Sequence, residues 1–168
     1  MGRSMKKPNS SMQLTRAADY GVRVMVHLAN LAANERALLP ALANATGAPD
    51  SFLSKVLQKL ARAKLIHSWR GPLGGFGIST GGRACSMRDV IEAIDGPICV
   101  NVCLVSGKSC GRKAWCPAHP VWMEAQEAML AVLSKALIVD LAGQAVPIGV
   151  VHLPSQGGHL RVCHLDCC

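Results

Sequence analysis

The chain has 168 residues, half of them hydrophobic but only 4% aromatic, so one domain or a small domain with an appendage must build its core from Leu, Val, Ala, Ile and Met. No apolar run reaches the roughly 18 residues that a membrane span needs, and the basic N-terminus lacks the apolar stretch of a signal peptide, so the sequence points to a cytoplasmic protein with no membrane partner. The formal net charge is +8: residues 1–70 hold 11 Lys and Arg against 3 Asp and Glu, whereas residues 71–168 hold 7 of each. A one-sided positive field of this kind is the footprint of a polyanion, most often nucleic acid.

Residues 1–11 read as a disordered extension, with Met12 a candidate natural start. From Thr15 to Asn30 apolar residues recur at helical spacing (Ala18, Val22, Met25, Val26, Ala29), with Thr15 as N-cap. Leu39 to Thr46 reads as a shorter helix stopped by Gly47. Pro49 suits the first turn of a third helix running to about Ala63. That helix places Leu53, Val56, Leu57 and Leu60 on one face, and Ser51, Ser54, Lys55, Gln58, Lys59 and Arg62 on the other. Two helices joined by a short Gly-containing turn make a helix-turn-helix, and the polar, cationic face of the second is what a recognition helix carries into the major groove.

Leu65 to Trp69 and Phe76 to Ser79 read as short strands joined by the turn Arg70-Gly-Pro-Leu-Gly-Gly. A hairpin directly after a recognition helix is a wing. Gly71 and Gly74 let backbone approach phosphates, and Arg70 has the reach to enter a narrow minor groove. Ser86 to Ile94 forms the next helix, with Ser86 and Asp89 placed as a capping box, buried positions Val90, Ile91 and Ile94, and a stop at Gly96-Pro97. Pro120 opens a long helix to about Leu141, whose apolar surface exceeds what a domain of this size needs and so implies a dimer interface. Residues 143–168 show no clear period; Cys163, His164, Cys167 and Cys168 there read as part of an unstructured tail.

Residues 97–119 are too long for a plain connection. They contain Cys103, Cys110, Cys116 and His119 in the spacing Cys-x6-Cys-x5-Cys-x2-His. In a cytosolic chain such cysteines point to metal or redox chemistry rather than to disulfides. Three thiolates from one loop suit an iron–sulfur cluster, or zinc. Lys108, Arg112 and Lys113 would favour thiolates and offset a cluster's negative charge. Cys85 and Cys99 read as ordinary small residues. No phosphate-binding loop, nucleophile elbow or paired acids argue for an enzyme.

In order along the chain come MQLTRAADYGVRVMVHLA, SFLSKVLQKLARAKLI, WRGPLGGFGIS, DVIEAIDGP and the three-cysteine loop. This series resembles the winged helix-turn-helix iron–sulfur transcription regulators that include IscR and NsrR, over about residues 12–142. The resemblance implies a mainly α fold with a small β wing: a DNA-binding domain over 12–96, a cluster-binding loop over 97–119 and a dimerisation helix over 120–142. It implies a homodimer on a palindromic operator in double-stranded DNA, touched by Arg70 and by Ser51, Phe52, Ser54, Lys55 and Gln58. It also implies one cluster per subunit on Cys103, Cys110 and Cys116. The fourth ligand stays open. His119 matches the IscR-like pattern and a 2Fe–2S centre, which we prefer; Asp19 matches an aspartate that NsrR-like proteins supply from the partner subunit, with 4Fe–4S. Two departures stand out. Ser54 occupies a position where IscR-like proteins can carry glutamate, and the first two cysteines enclose six residues rather than five. The expected function is a regulator, usually a repressor, whose operator affinity follows iron–sulfur status, nitric oxide or redox stress. The alternatives are a thiol-switch or zinc-bound regulator without a cluster, and an iron–sulfur carrier.

Overall fold

In the computed structural model, which describes residues 14–32, 35–71, 74–105 and 110–144, the chain enters its first helix, α1 (Arg16–Ala29), through the Thr15 cap that the sequence predicts. Thr15 Oγ1 accepts the Ala18 N–H at 3.2 Å. The buried face is Ala18, Gly21, Val24, Met25 and Leu28. It is rotated from the expected stripe, so Val22, Val26 and Ala29 are half-buried. The next helix, α2 (Leu39–Thr46), ends where expected, at Gly47 in the left-handed conformation with φ 70°. The third, α3 (Asp50–Arg62), buries Leu53, Val56, Leu57 and Leu60, with Pro49 as its N-cap.

Two short strands follow, β1 (Ile66–Trp69) and β2 (Gly75–Ile78), antiparallel with Ile66 opposite Ile78 and Trp69 opposite Gly75. Ala37, just before α2, exchanges two 2.9 Å backbone hydrogen bonds with Phe76 and so lays a one-residue third strand against the wing. A four-residue helix that the periodicity does not announce, α4 (Thr80–Arg83), is held by Ser79. The Ser79 hydroxyl accepts the Gly82 N–H and donates to the carbonyls of Lys64 and Leu65. Then comes α5 (Met87–Asp95), with both halves of the Ser86–Asp89 capping box formed and Val90, Ile91 and Ile94 buried as expected.

The expected long helix from Pro120 to about Leu141 is two helices. The first, α6 (Ala118–Lys135), begins two residues earlier than expected. Pro120 still falls in its first turn, where backbone N–H groups have no intrahelical partner to lose. The chain then breaks at Ala136 and Leu137 before α7 (Ile138–Gln144). Tertiary pairing overrides the continuous apolar period here. Met87 donates its N–H to the Ala136 carbonyl at 2.8 Å, and Ile138 donates to the Cys85 carbonyl at 3.0 Å. Ile138 is thereby fully buried in the core beside α1.

The core lies between α1, α3 and α5, lined by Met25, Leu28, Leu53, Leu57, Val90 and Ile94. The α1–α5 approach needs Gly21, because a Cβ there would collide with Ile94 Cδ1. Across the same junction, Thr15 Oγ1 lies 2.8 Å from both carboxylate oxygens of Asp95. No helix among the described residues is long and apolar enough to cross a membrane. The proposed extension 1–11 and the start at Met12 lie outside the described residues. So do Lys108 and the tail cysteines Cys163, Cys167 and Cys168; Gly143 and Gln144, assigned to the tail from sequence, belong to α7.

Candidate nucleic-acid interface and cysteine loop

On α3, Ser51, Lys55 and Gln58 are exposed, as a reading surface requires. Ser54 is half-buried and its hydroxyl donates to the Asp50 carbonyl at 2.9 Å. Phe52 meets the Tyr20 ring edge-on, with centroids 5.7 Å apart, and so links α3 to α1. The Lys59 ammonium donates to the Ile94 carbonyl at 2.7 Å. That hydrogen bond directs its charge to the C-terminal end of α5, a favourable place for a cation.

At the wing, Arg70 and Gly71 are exposed, and Gly71 has φ 96°. Gly74 is buried under the turn. A Cβ there would lie 2.5 Å from the Trp69 carbonyl oxygen and 2.8 Å from that of Gly71, so this glycine closes the hairpin rather than presenting backbone outward. The structure adds two residues that sequence reasoning passed over. Arg36 places its guanidinium carbon 4.1 Å from the centroid of the Trp69 ring. Trp69 beside Arg70 was the available sign, but its partner comes from a segment 33 residues away that only the Ala37–Phe76 pairing brings close.

The cysteine loop is tied down at its start. Ile98 donates its N–H to Glu92 of α5 at 3.5 Å, and Val100 donates to Gln126 of α6 at 3.2 Å. Cys103 sits in a single 3₁₀ turn, Val102–Leu104. Cys103, Cys110 and Cys116 are free and half-buried. His119 is in the first turn of α6, its N–H bonded to the Cys116 carbonyl at 3.1 Å. The residue is 8% exposed, and among the described residues neither ring nitrogen finds a hydrogen-bond partner. Buried polar atoms without partners are uncommon and ask for an explanation, a bound ion among them. Free thiols and an orphaned imidazole fit an iron–sulfur cluster in kind. In place they do not converge, since no three His, Cys, Asp or Glu side chains among the described residues form a group able to hold a metal ion.

Asp19 is exposed and paired to Arg23 at 2.9 Å, an i, i+4 pair on α1. Arg112 lies 5.9 Å from the ring of Trp115, which is 70% exposed. Cys85 is inert by placement. Its Sγ lies 3.0 Å from the Gly82 carbonyl, and burial, with Asp89 adding, pushes the thiol up to about 11. The Cys99 thiol is raised by burial and then by Glu92. The burial of Cys85 in the core is in line with its reading as an ordinary small residue.

Residues 14–144 match the family described as Rrf2, iron-dependent transcriptional regulator. The chain belongs to the Rrf2 family. Among its relatives, the HTH-type transcriptional regulator Rv1287 of Mycobacterium tuberculosis is 32% identical over 142 residues, 84% of this chain and 88% of that one. CymR, the global cysteine regulator of B. subtilis, superimposes with a TM-score of 0.65 at 22% identity, over 80% of this chain and 98% of that one. IscR of T. potens gives 0.63 at 21% identity, over 86% and 93%. These two structures show the winged-helix fold expected from sequence. This Rrf2 protein is thus a helix-turn-helix transcriptional regulator that binds DNA, and its relatives are regulators rather than enzymes.

Proposed function

We propose that this Rrf2 protein is a cytoplasmic, homodimeric repressor of a palindromic operator whose affinity is set by an iron–sulfur cluster on Cys103, Cys110, Cys116 and His119. The observation that carries this reading is His119, buried three residues beyond Cys116 with both ring nitrogens unpartnered among the described residues. Asp19, the other candidate for the fourth position, is engaged by Arg23 within its own helix, which favours His119 and with it a 2Fe–2S over a 4Fe–4S centre. The family's description as iron-dependent supports the same chemistry. Two-fold symmetry in the protein would mirror symmetry in the DNA.

When bound, a cluster supplies a redox-active iron centre open to oxidants or nitric oxide at its non-thiolate corner. The chain does the rest. Glu92 and Gln126 hold the start of the loop against α5 and α6, so drawing the cysteines together pulls on both helices. α5 in turn packs on α1 and α3, which carries the reading face. A coupling of about 1–3 kcal/mol would change operator occupancy some five- to 150-fold. The winged domain is the 12–96 segment with α7 packed on its core, the sensing segment runs from 97 to His119 in the first turn of α6, and the rest of α6 is the dimerisation helix.

Anaerobic purification followed by an absorbance spectrum and iron and sulfide counts tests this. Visible absorbance with stoichiometric iron is expected, and Cys110→Ala is expected to abolish it; an unchanged spectrum in that variant rejects the ligand assignment. A second reading, a thiol switch or zinc site without a cluster, is favoured by one observation: no three donors converge among the described residues. It is also in keeping with the fold shared with a cysteine regulator. Colourless anaerobic protein would select this reading, and a zinc assay would divide its two forms.

A further inference from the structure

The wing carries a side-chain arrangement that neither the recognition helix nor the cysteine loop accounts for. Trp69 closes β1 and precedes Arg70 at the hairpin tip. Its indole lies over Gly77, where an added Cβ would come within 3.1 Å of Cζ3 and 3.3 Å of Cη2, so the missing side chain at Gly77 makes the floor on which the ring rests. His67, two residues back on the same face of β1, tilts against the indole with ring centroids 5.6 Å apart. From the third side comes Arg36, with Cζ 4.1 Å from the ring centroid. The backbone beside Arg36 is fixed, because Ala37 and Phe76 exchange two hydrogen bonds across the wing. Yet the assembly faces water: Trp69 is 38% exposed, and Arg36, His67 and Arg70 are all exposed.

A guanidinium carries five N–H donors, so one stacked by its flat face on an indole keeps edge donors beyond those it has already engaged. Arg36 is therefore ordered before any DNA arrives and spends little entropy in meeting it. We infer that Arg36, seated on Trp69, is a second phosphate-binding arginine of the wing, gripping the phosphodiester backbone beside the groove that Arg70 enters. Trp69 is its positioning residue. The inference rests on the DNA-binding role of the fold and widens the wing from one cationic anchor to two.

The test is fluorescence anisotropy of a labelled random-sequence 30-base-pair duplex with the full-length protein across a salt series. Arg36→Ala should weaken binding roughly tenfold at 50 mM salt and flatten the log–log salt slope by about 0.9 for each phosphate that is no longer neutralised. Trp69→Ala should shift both quantities in the same direction, Trp69→Phe should retain most of the affinity, and the Arg36→Ala/Trp69→Ala double variant should bind no worse than the weaker single one. Arg36→Lys keeps the charge but loses the planar stack and should fall between wild type and Arg36→Ala. Wild-type affinity and slope in Arg36→Ala, with Arg70→Ala still impaired, would overturn the phosphate role of Arg36 while leaving the DNA-binding reading intact. Additive losses in the double variant would overturn the positioning role of Trp69. A wild-type protein that fails to retain the duplex at any salt would instead sink the DNA-binding reading beneath both. Trp69→Phe carries the test of the indole if Trp69→Ala does not fold.

Discussion

Five described cysteines share one chain and differ in what surrounds them. Cys85 is 5% exposed, its sulfur directed at the Gly82 carbonyl, with Asp89 disfavouring a negative charge nearby. Its thiol is raised to about 11, so the nucleophilic thiolate is effectively absent at neutral pH. Cys103, Cys110 and Cys116 keep partial access to water. In protein stripped of metal, iodoacetamide at pH 7.5 should therefore modify those three and spare Cys85 until denaturant is added, as read by peptide mass mapping. Labelling of Cys85 at the rate of the loop cysteines would contradict its burial. The raised thiol also sets a direction for stability. The folded state holds that proton more tightly than the unfolded chain, so its contribution is complete below the ordinary thiol value of 9.0 and is lost as pH rises towards 11.

Ser86 serves two elements at once. Its hydroxyl accepts the Asp89 N–H at 3.3 Å and its own N–H donates to Asp89 Oδ2 at 2.8 Å, completing the capping box of α5, while its backbone pairs with Leu137 just before α7. Ser86→Ala should cost about 1 kcal/mol in urea denaturation at pH 7. The Ser86 N–H, and then its hydroxyl, hold the Asp89 carboxyl below its ordinary value. That contribution is present above the unfolded carboxylate value and is lost as pH falls through the lowered folded one. The gap between wild type and Ser86→Ala should accordingly narrow in acid, and a constant gap down to pH 2 would show that Asp89 does not sense the Ser86 side chain. Such caps are local, which is why Thr15, Gly47 and the Ser86–Asp89 pair marked their helices in the sequence alone. The break between α6 and α7 was not legible, because apolar positions continue through Ala136 and Leu137 and only their pairing with residues 85–87 ends the helix. Nor was α4, whose two glycines argue against a helix until Gly82 is seen packed under the Leu65 carbonyl. At the candidate site, the loop spacing pointed to Cys103, Cys110, Cys116 and His119. The burial of His119 and the Arg36–Trp69 stack depend on packing between segments far apart in sequence, which no local pattern encodes.

At the scale of the molecule, α6 poses the sharpest question of energy. It is 18 residues long, yet His119 is its one buried side chain, and Val121, Met123 and Val132 are 62%, 42% and 69% exposed. A helix of this length gains little stability in water from its own hydrogen bonds and depends on burying an apolar face. Among the described residues the backbone and polar ties of α6 are few: the loop reaches its middle through Val100 and Gln126, and Met87 meets the Ala136 carbonyl just past its C-terminal end. In the proposed homodimer a second copy of the same helix supplies the missing surface symmetrically and sets two wings and two α3 faces at a fixed separation on one duplex. Val121→Glu/Val132→Glu should then convert a dimer to a monomer in sedimentation velocity while leaving the circular dichroism of the winged domain in place, since its core does not include either valine. Separating the reading heads removes the advantage of linked binding, on the order of a hundredfold in duplex affinity. A variant that still sediments as a dimer would place the interface elsewhere. One that is monomeric yet binds the duplex as tightly as wild type would mean that a single wing and recognition helix suffice. In that case the sensing loop could not act by setting the distance between two of them.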